Sequence, residues 1–302
     1  MNYITVDLGG TNLRIARINS NLIIEDILKY ETEVELGIEQ IMKKIINAIN
    51  QLQNNETIGV GIGVPGQIDC MKKKIMNANN LRIKDYRIGD ILKKATGLEV
   101  YLQNDANIAG LGEAVVGSGK EYDNVYYVTW STGIGGSLII DGKIINGKNM
   151  CTGEIGNLII KPGGIKHGLM NEGGLEGISS GTYLKNKAIE IGYENVGDLM
   201  ELYKNHNKDV IDLINEVTDA MARGLANILH VVEVDCFIFG GGVSIKSGDI
   251  LIPLILKKIN NYLLPVMQDT VIIKKSKLGD DAGLFGAAII VQNEKKKEKT
   301  NK

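Results

Sequence analysis

The sequence predicts an α/β protein with partly parallel sheets, its plan begun twice along 302 residues. The first observation behind this is a phrase written twice, VDLGGTNLRIARI near the start and VTWSTGIGGSLII in the middle. Each is an apolar run, a Gly-rich turn with a Thr, and a second apolar run, the pattern of a β-hairpin whose turn exposes backbone N–H groups. The second is the alternation of apolar strands with amphipathic helical segments after the hairpins, which implies parallel pairing through helical crossovers. The third is size: a chain this long with 44% apolar residues fits two domains or one large one.

After the first hairpin, IEQIMKKIINAINQL places Ile38, Ile41, Met42, Ile45, Ile46, Ile49 and Leu52 on one stripe, a helix packed on a sheet. IGVGIGVPGQID reads as a buried strand ended by Pro65 and Gly66, IGDILKKATG as a short helix stopped by Gly97, and EVYLQNDAN as a strand with a polar end. The second hairpin restarts this grammar. Residues 152–181 are Gly-rich and aperiodic, and so long a stretch is more often functional than idle. VIDLINEVTDAMARGLANILHVVEV is helical again, with Val210, Leu213, Ile214, Val217, Met221, Leu225, Ile228 and Leu229 as its stripe, and feeds the strand VDCFIFGGGVS. The glycines at 240–242 suit either close approach of a flat ligand or a tight strand-to-helix turn.

Composition narrows the function classes. Lys plus Arg number 34 against 36 Asp plus Glu, a formal charge of -2, so there is no electrostatic footprint for nucleic acid or an anionic membrane. The only charge run, NEKKKEKTNK, mixes signs, lacks aromatics and reads as a solvated, frayed terminus. Cys70, Cys151 and Cys236 are far apart and odd in number, which argues for a reducing compartment, with Cys236 as a buried core thiol. Asp7 interrupts the first apolar stretch, so neither signal peptide nor membrane span is expected and the cytoplasm is the default location.

Two Gly-rich turns of this kind suit two ends of one polyphosphate. In the first, Asp7 precedes Gly9, Gly10, Thr11 and Asn12, so a carboxylate stands where Mg²⁺ is wanted. In the second, Ser131, Thr132, Gly133, Gly135 and Gly136 offer hydroxyls and amides without an acidic neighbour. Gly-Gly turns are also ordinary hairpin chemistry, so the pairing carries the reading. The absence of G-x-x-x-x-G-K-[ST], and of G-x-G-x-x-G opening a helix after a strand, sets Walker-type and Rossmann sites aside. A kinase acting on a hydroxyl also needs a base, and QNDAN places Asp105 where a strand ends, with Asn104 beside it. The alternative for Asp105 is an N-cap for a helix beginning near Ala106. TGEIGN and GGLEGISSG add Glu154, Asn157 and Glu176 as acceptor groups for a sugar, or else as surface residues of Gly-rich loops. His167, His206 and His230 have no spacing that suggests a metal site or a relay.

In this order, DLGGT at 7–11, GVPG at 63–66, NDAN at 104–107, TGIGG at 132–136, GEIG at 153–156, LE at 175–176 and GGGVS at 240–244 resemble the motifs of the ROK family of sugar kinases and related repressors. The resemblance spans essentially the whole chain. It implies the actin-like, hexokinase-like (ribonuclease H-like) ATPase fold, with two α/β domains flanking a cleft. These would be residues 1–118, with a C-terminal helix at 284–302 packing back on them, and a larger domain at 119–283. The resemblance further implies Asp105 as catalytic base, and a sugar held by Gly66, Asn80, Asn104, Asp105, Glu154, Asn157 and Glu176. ATP would lie on Asp7, Gly9, Gly10, Thr11 and Asn12, on Thr132, Gly133, Ile134 and Gly135, and on Gly241 and Gly242, with Asp7 helping to hold Mg²⁺. Family repressors carry a helix-turn-helix before the first turn, and with DLGGT at 7–11 none is expected here. The family's zinc site uses a His after GEIG and three Cys before LE. Here Asn157 stands at the first position and His167, Leu169 and Gly174 at the others, so no structural zinc is expected. Leu169, Met170 and Leu175 are the expected anchors of the loop in its place.

The expected function is ATP-dependent phosphorylation of a hexose hydroxyl, glucokinase-like with glucose first. N-acetylmannosamine, N-acetylglucosamine and fructose are the alternatives. From another class stands a catalytically weak, sugar-sensing regulatory protein without a DNA-binding domain, which the retention of Asp7, Asp105, Glu154 and both turns argues against. The expected partners are a small sugar and, as is common in the family, a second copy of the chain, with no nucleic acid and no membrane.

Overall fold

The computed structural model describes residues 1–300 apart from Leu169 and Glu194. Its contacts divide the chain into two compact units. One takes Met1–Gly117, Gly142–Thr152 and the segment from Asp280 onward; the other takes Ser118–Asp141 and Gly153–Gly279.

The first unit begins with an antiparallel meander, β1 (Asn2–Leu8), β2 (Asn12–Asn19) and β3 (Ile24–Glu31), which β4 (Thr57–Val64) and β8 (Val100–Asn104) extend in parallel. The sheet order is β3-β2-β1-β4-β8. On one face lies α1 (Ile38–Leu52), whose Ile41, Met42, Ile45, Ile49 and Leu52 share a core with Ile4, Val6, Val60 and Ile62, as the helical stripe requires. After the Pro65-Gly66 turn come the short strands β5 (Gln67–Asp69), β6 (Lys74–Ala78) and β7 (Ile83–Tyr86) of a separate antiparallel sheet. Then α2 (Ile88–Thr96) stops at Gly97, whose φ of 75° is the left-handed cap that glycine adopts cheaply. From the end of β8 the chain enters α3 (Asp105–Val115) without a linker.

In the second unit β9 (Asn124–Trp130) and β10 (Ile134–Ile140) form the second antiparallel hairpin. Next comes β11 (Lys143–Ile144), part of the segment 142–152 that groups with the first unit, although sequence placed it in the second domain. The physical reason is local: β11 lies against α3, and Gln103 Nε2 donates to Asn146 Oδ1 at 2.9 Å. Beyond the aperiodic stretch stand α4 (Leu175–Ser179), α5 (Gly181–Glu190), α6 (Val196–Lys204) and α7 (Lys208–Val232). Seven of the eight stripe residues expected on α7 are buried, Leu213 being half-buried. Strands β12 (Cys236–Gly240) and β13 (Ile273–Lys275) join in parallel, giving the run β10-β9-β12-β13, with α8 (Gly242–Ile259) between them. Phe237 and Phe239 of β12 pack on Tyr126 and Trp130 with ring centroids 6.0 and 6.1 Å apart, and Cys236 is a buried free thiol.

The last helix, α9 (Ala282–Thr300), packs on α3, β1 and β4, burying Leu284, Ala288 and Val291 with Tyr3, Ala16 and Ile18. Of the expected solvated, frayed tail it corrects the fraying as far as Thr300, while residues 296–300 are exposed and 301–302 lie outside the described residues. Lys295 pairs with Glu298 at 2.9 Å and Lys297 with Glu294 at 2.6 Å along the helix, and Tyr101 donates its hydroxyl to Glu298 at 2.8 Å. Mixed signs three residues apart suit a helix surface. Among the described residues no helix is long and apolar enough to cross a membrane.

Candidate functional site

In the first unit the turn between β1 and β2 consists of Gly9, Gly10 and Thr11. The Gly9 N–H donates to the Asn12 carbonyl at 2.9 Å. Buried Thr32 then fastens the turn twice, by its N–H on the Thr11 carbonyl at 2.8 Å and its hydroxyl on the Gly9 carbonyl at 2.7 Å. Gly10, Thr11 and Asn12 remain exposed, and Asn80 lies beside Gly10, whose added Cβ would stand 3.4 Å from that of Asn80.

Asp7 sits one residue before the end of β1, opposite Arg14 on β2. Burial raises its carboxyl to about 7; the Asp105 carboxylate adds to the rise, Arg14 opposes it, and Asp280 and Asp281 add again. Arg14 is shared with those two acids, at 2.6 Å from Asp280 and 3.8 Å from Asp281, so it neutralises Asp7 only in part. An under-neutralised pair of carboxylates supplies hard oxygens of the kind a divalent cation takes. Gly283, in the first turn of α9, leaves the room: a Cβ there would reach within 3.0 Å of the Asp7 carboxylate.

At the end of β8 the N-cap of α3 is Asn104, whose Oδ1 accepts the Asn107 N–H at 3.2 Å. Asp105 is therefore the first helical residue and not the cap, which corrects the alternative reading. The Asn104 side chain also donates to the Gly66 carbonyl at 3.2 Å, tying the GVPG turn to the start of α3. Burial raises the Asp105 carboxyl, while the backbone N–H groups of Ala106 and Asp105 and the Asn104 amide pull it down.

In the second unit the turn between β9 and β10 is Ser131, Thr132 and Gly133. The start of α5 is docked on it: the Gly181 N–H donates to the Ser131 carbonyl at 2.8 Å, and Thr182 to the Thr132 carbonyl through its N–H at 3.0 Å and its hydroxyl at 2.9 Å. Glu176 of α4 is buried against the same turn. Its Oε2 accepts the Ile134 N–H at 2.7 Å and its Oε1 meets His167 Nδ1 at 2.9 Å. A Cβ on Gly133 would stand 2.4 Å from Glu176 Oε2, so a glycine is needed there for the carboxylate to fit. The Ile134 N–H, expected among phosphate donors, is thus engaged by Glu176.

Glu154 is exposed at the start of a 3-10 turn, Ile155–Asn157. Asn157 Oδ1 accepts the Asn171 N–H at 3.0 Å, and Asn171 Nδ2 donates to the Asn157 carbonyl at 3.0 Å. The run 240–242 resolves as the tight strand-to-helix turn, with Gly241 at φ 83° before α8; a Cβ there would lie 2.5 Å from the Trp130 carbonyl, beside the second hairpin. Of the expected loop anchors, Leu175 is fully buried, Met170 is half-buried and Leu169 lies outside the described residues. Among the described residues no group of three or more His, Cys, Asp and Glu is placed to hold a metal ion. A cavity of about 630 Å³ lined by Tyr122, Asp123, Glu233 and Asp235 opens at the other end of β9 and β12 and holds none of the expected site residues.

The ROK family model matches residues 3–294. The chain belongs to the ROK family. A glucokinase of Halalkalibacterium halodurans is 31% identical over 99% of this chain and 98% of its own. The crystal structure of a ROK hexokinase from Thermus thermophilus superposes with a TM-score of 0.86 at 26% identity, covering 97% of this chain and all of that one (100%). The structure of a ROK family glucokinase from Streptomyces griseus, in complex with glucose and AMPPNP, gives 0.79 at 27% identity over 96% of this chain and 99% of that one. The fold is accordingly the actin-like, hexokinase-like ATPase fold. Within this ROK chain, sequence reasoning missed Thr32, Thr182 and the pairing of His167 with Glu176. Nothing near Thr32 or Thr182 marks them, whereas His167 could have been noticed as the one ionisable side chain at the family's zinc positions.

Proposed function

We propose that this ROK protein is an ATP-dependent sugar kinase that transfers the γ-phosphate of ATP to a hexose hydroxyl, glucose being the first substrate to test. The observation that carries the reading is Asp105, a carboxylate at a strand end whose burial raises its proton affinity, on a helix start joined by Asn104 to the Gly66 turn. A base of this kind takes the proton of the attacking hydroxyl, and desolvation strengthens it for that task. The similarity to glucokinases supports the same substrate class.

In this reading Asn104, Glu154, Asn157 and Glu176 hold the sugar with Gly66 and Asn80. The turn at 9–12 holds phosphate through exposed backbone, and Thr132, Gly133 and Gly135 do so in the second turn, where Ile134 instead orients Glu176. Gly241 and Gly242, at the turn into α8, are the residues proposed to lie beside the nucleotide. Asp7 is the residue to hold Mg²⁺ arriving with the nucleotide, which when bound neutralises phosphate charge. No structural zinc is expected, because Asn157, Leu169 and Gly174 stand at three of the four positions where the family has its ligands, leaving His167 alone. A homodimer in the cytoplasm is the proposed working form.

The test is sugar-dependent ADP release across glucose, mannose, fructose, N-acetylglucosamine and N-acetylmannosamine. Turnover with one hexose or hexosamine is expected, and its identity names the substrate. Binding of a sugar without ADP release from any of them would instead favour the sugar-sensing regulator.

A further inference from the structure

Glu176 is a carboxylate whose side chain is only 10% exposed, and each of its oxygens meets one donor. Oε2 takes the Ile134 N–H at 2.7 Å and Oε1 faces His167 Nδ1 at 2.9 Å. An ionised carboxylate only accepts, so the ring nitrogen facing it carries the proton, and each oxygen keeps a further lone pair for another donor. The His167 side chain is 39% exposed, so its ring spans from the buried carboxylate to solvent.

The loop that carries His167 is cross-braced by hydrogen bonds among its described residues. Asn171 donates twice to Asn157, from its N–H and its side-chain amide; the N–H groups of Ile160 and Lys161 share the Gly173 carbonyl at 2.9 and 3.2 Å; Leu175 donates to the Leu158 carbonyl at 2.9 Å. Inside it, Met170 donates to the His167 carbonyl at 2.9 Å and Gly173 to that of Ile165 at 3.0 Å. A side chain at 167 is thereby held nine residues before the carboxylate it meets.

We propose that His167 is a positioning residue of the acceptor site: it fixes Glu176 so that the remaining lone pairs of its carboxylate accept from substrate hydroxyls, and the Asn157–Asn171 clasp holds the loop from which it does so. This rests on the sugar-kinase reading, but its first test does not. In proton–nitrogen correlation spectra of labelled protein at alkaline pH, His167 is identified by the signals lost in His167→Ala. It is expected as the Nδ1–H tautomer, reverting to the Nε2–H form common in free imidazole in Glu176→Ala. A wild-type ring already in the Nε2–H form overturns the proposal.

Kinetics supply the second test. His167→Ala should raise the sugar KM about tenfold, the size expected for one hydrogen bond to a charged group. The kcat and the ATP KM should stay within about twofold, because the interaction is made equally before and in the transition state. His167→Gln, which restores an N–H donor, should recover part of the loss. An unchanged sugar KM, or equal losses in ATP KM and melting temperature that mark a merely structural role, overturns the proposal. If the wild type phosphorylates none of the sugars, the kinase reading fails by itself while the tautomer still decides what His167 holds.

Discussion

Set side by side, VDLGGTN and VTWSTGI each put three residues between antiparallel strands, and two parallel strands continue each sheet in the same order, β2-β1-β4-β8 and β10-β9-β12-β13. Asp7 in the first corresponds to Thr129 in the second. The first hairpin thus bears its own carboxylate beside an exposed turn, with Asp105 near enough to raise it. The second has none of its own, and instead receives Glu176 from α4, hydrogen-bonded by the Ile134 N–H and His167. One position in the strand, and what the chain later lays against the turn, give two copies of one backbone plan different carboxylate surroundings.

The largest expected effect separates Asp105 from its neighbour Asp7. Asp105→Asn should lower kcat by roughly 10² to 10⁴, the usual yield of a general base, while calorimetry finds sugar binding largely intact. A near-normal kcat would remove Asp105 from the reaction and leave Asp7 as the carboxylate to examine.

The second effect tests the unequal crowding of the two turns. Gly133→Ala drives a Cβ toward Glu176 Oε2, 2.4 Å away in the present packing, whereas Gly10→Ala meets nothing closer than 3.4 Å. The first should cost about 1–3 kcal/mol in unfolding and raise the sugar KM; the second should leave stability within about 0.5 kcal/mol. Equal effects in denaturant melts would erase the distinction drawn between the hairpins.

A pH series sharpens the contrast in charge. The Asp7 carboxyl titrates at about 7 in the folded chain against 3.8 ordinarily, so the native state binds this proton more tightly than the unfolded one. Ionising it therefore costs native stability, a cost that grows as pH rises from 3.8 to 7 and is constant above. In nucleotide-free protein Asp7→Asn should melt above wild type at about pH 8, with the advantage shrinking steadily as pH falls toward 4. An advantage independent of pH would show that the side chain's shape, and not its charge, matters.

The smallest effect concerns the tie beneath the first turn. Thr32→Val removes the hydroxyl donated to Gly9 and should cost about 1 kcal/mol, with a modest rise in the ATP KM and none in the sugar KM. A change confined to the sugar KM would place this turn with the acceptor and not the nucleotide.

The parts legible in the chain are those written at short range. Alternation marked both hairpins, a stripe every three or four residues marked α1 and α7, and Gly97 marked the end of α2, because strand and helix periods repeat within a few residues. Asp105 was readable because a strand ran out into polar residues at that point, although only the structure showed that Asn104 makes the cap. At the C-terminus charge composition marked solvent exposure, which residues 296–300 have, but not the helix, which runs through Thr300 with paired charges along it and Tyr101 bonded to Glu298.

What tertiary structure alone decided is which polar groups meet. Thr32 reaches Gly9 across 23 residues and Glu176 reaches Ile134 across 42, distances at which periodicity carries no information. The sequence by itself determined two hairpins with Gly-rich turns and the helices that cover their sheets, since these follow from local alternation and burial. The return path of the chain then determined that one turn stands open beside a pair of carboxylates and the other closes over a single one, because side-chain partners depend on packing between segments that no local pattern relates.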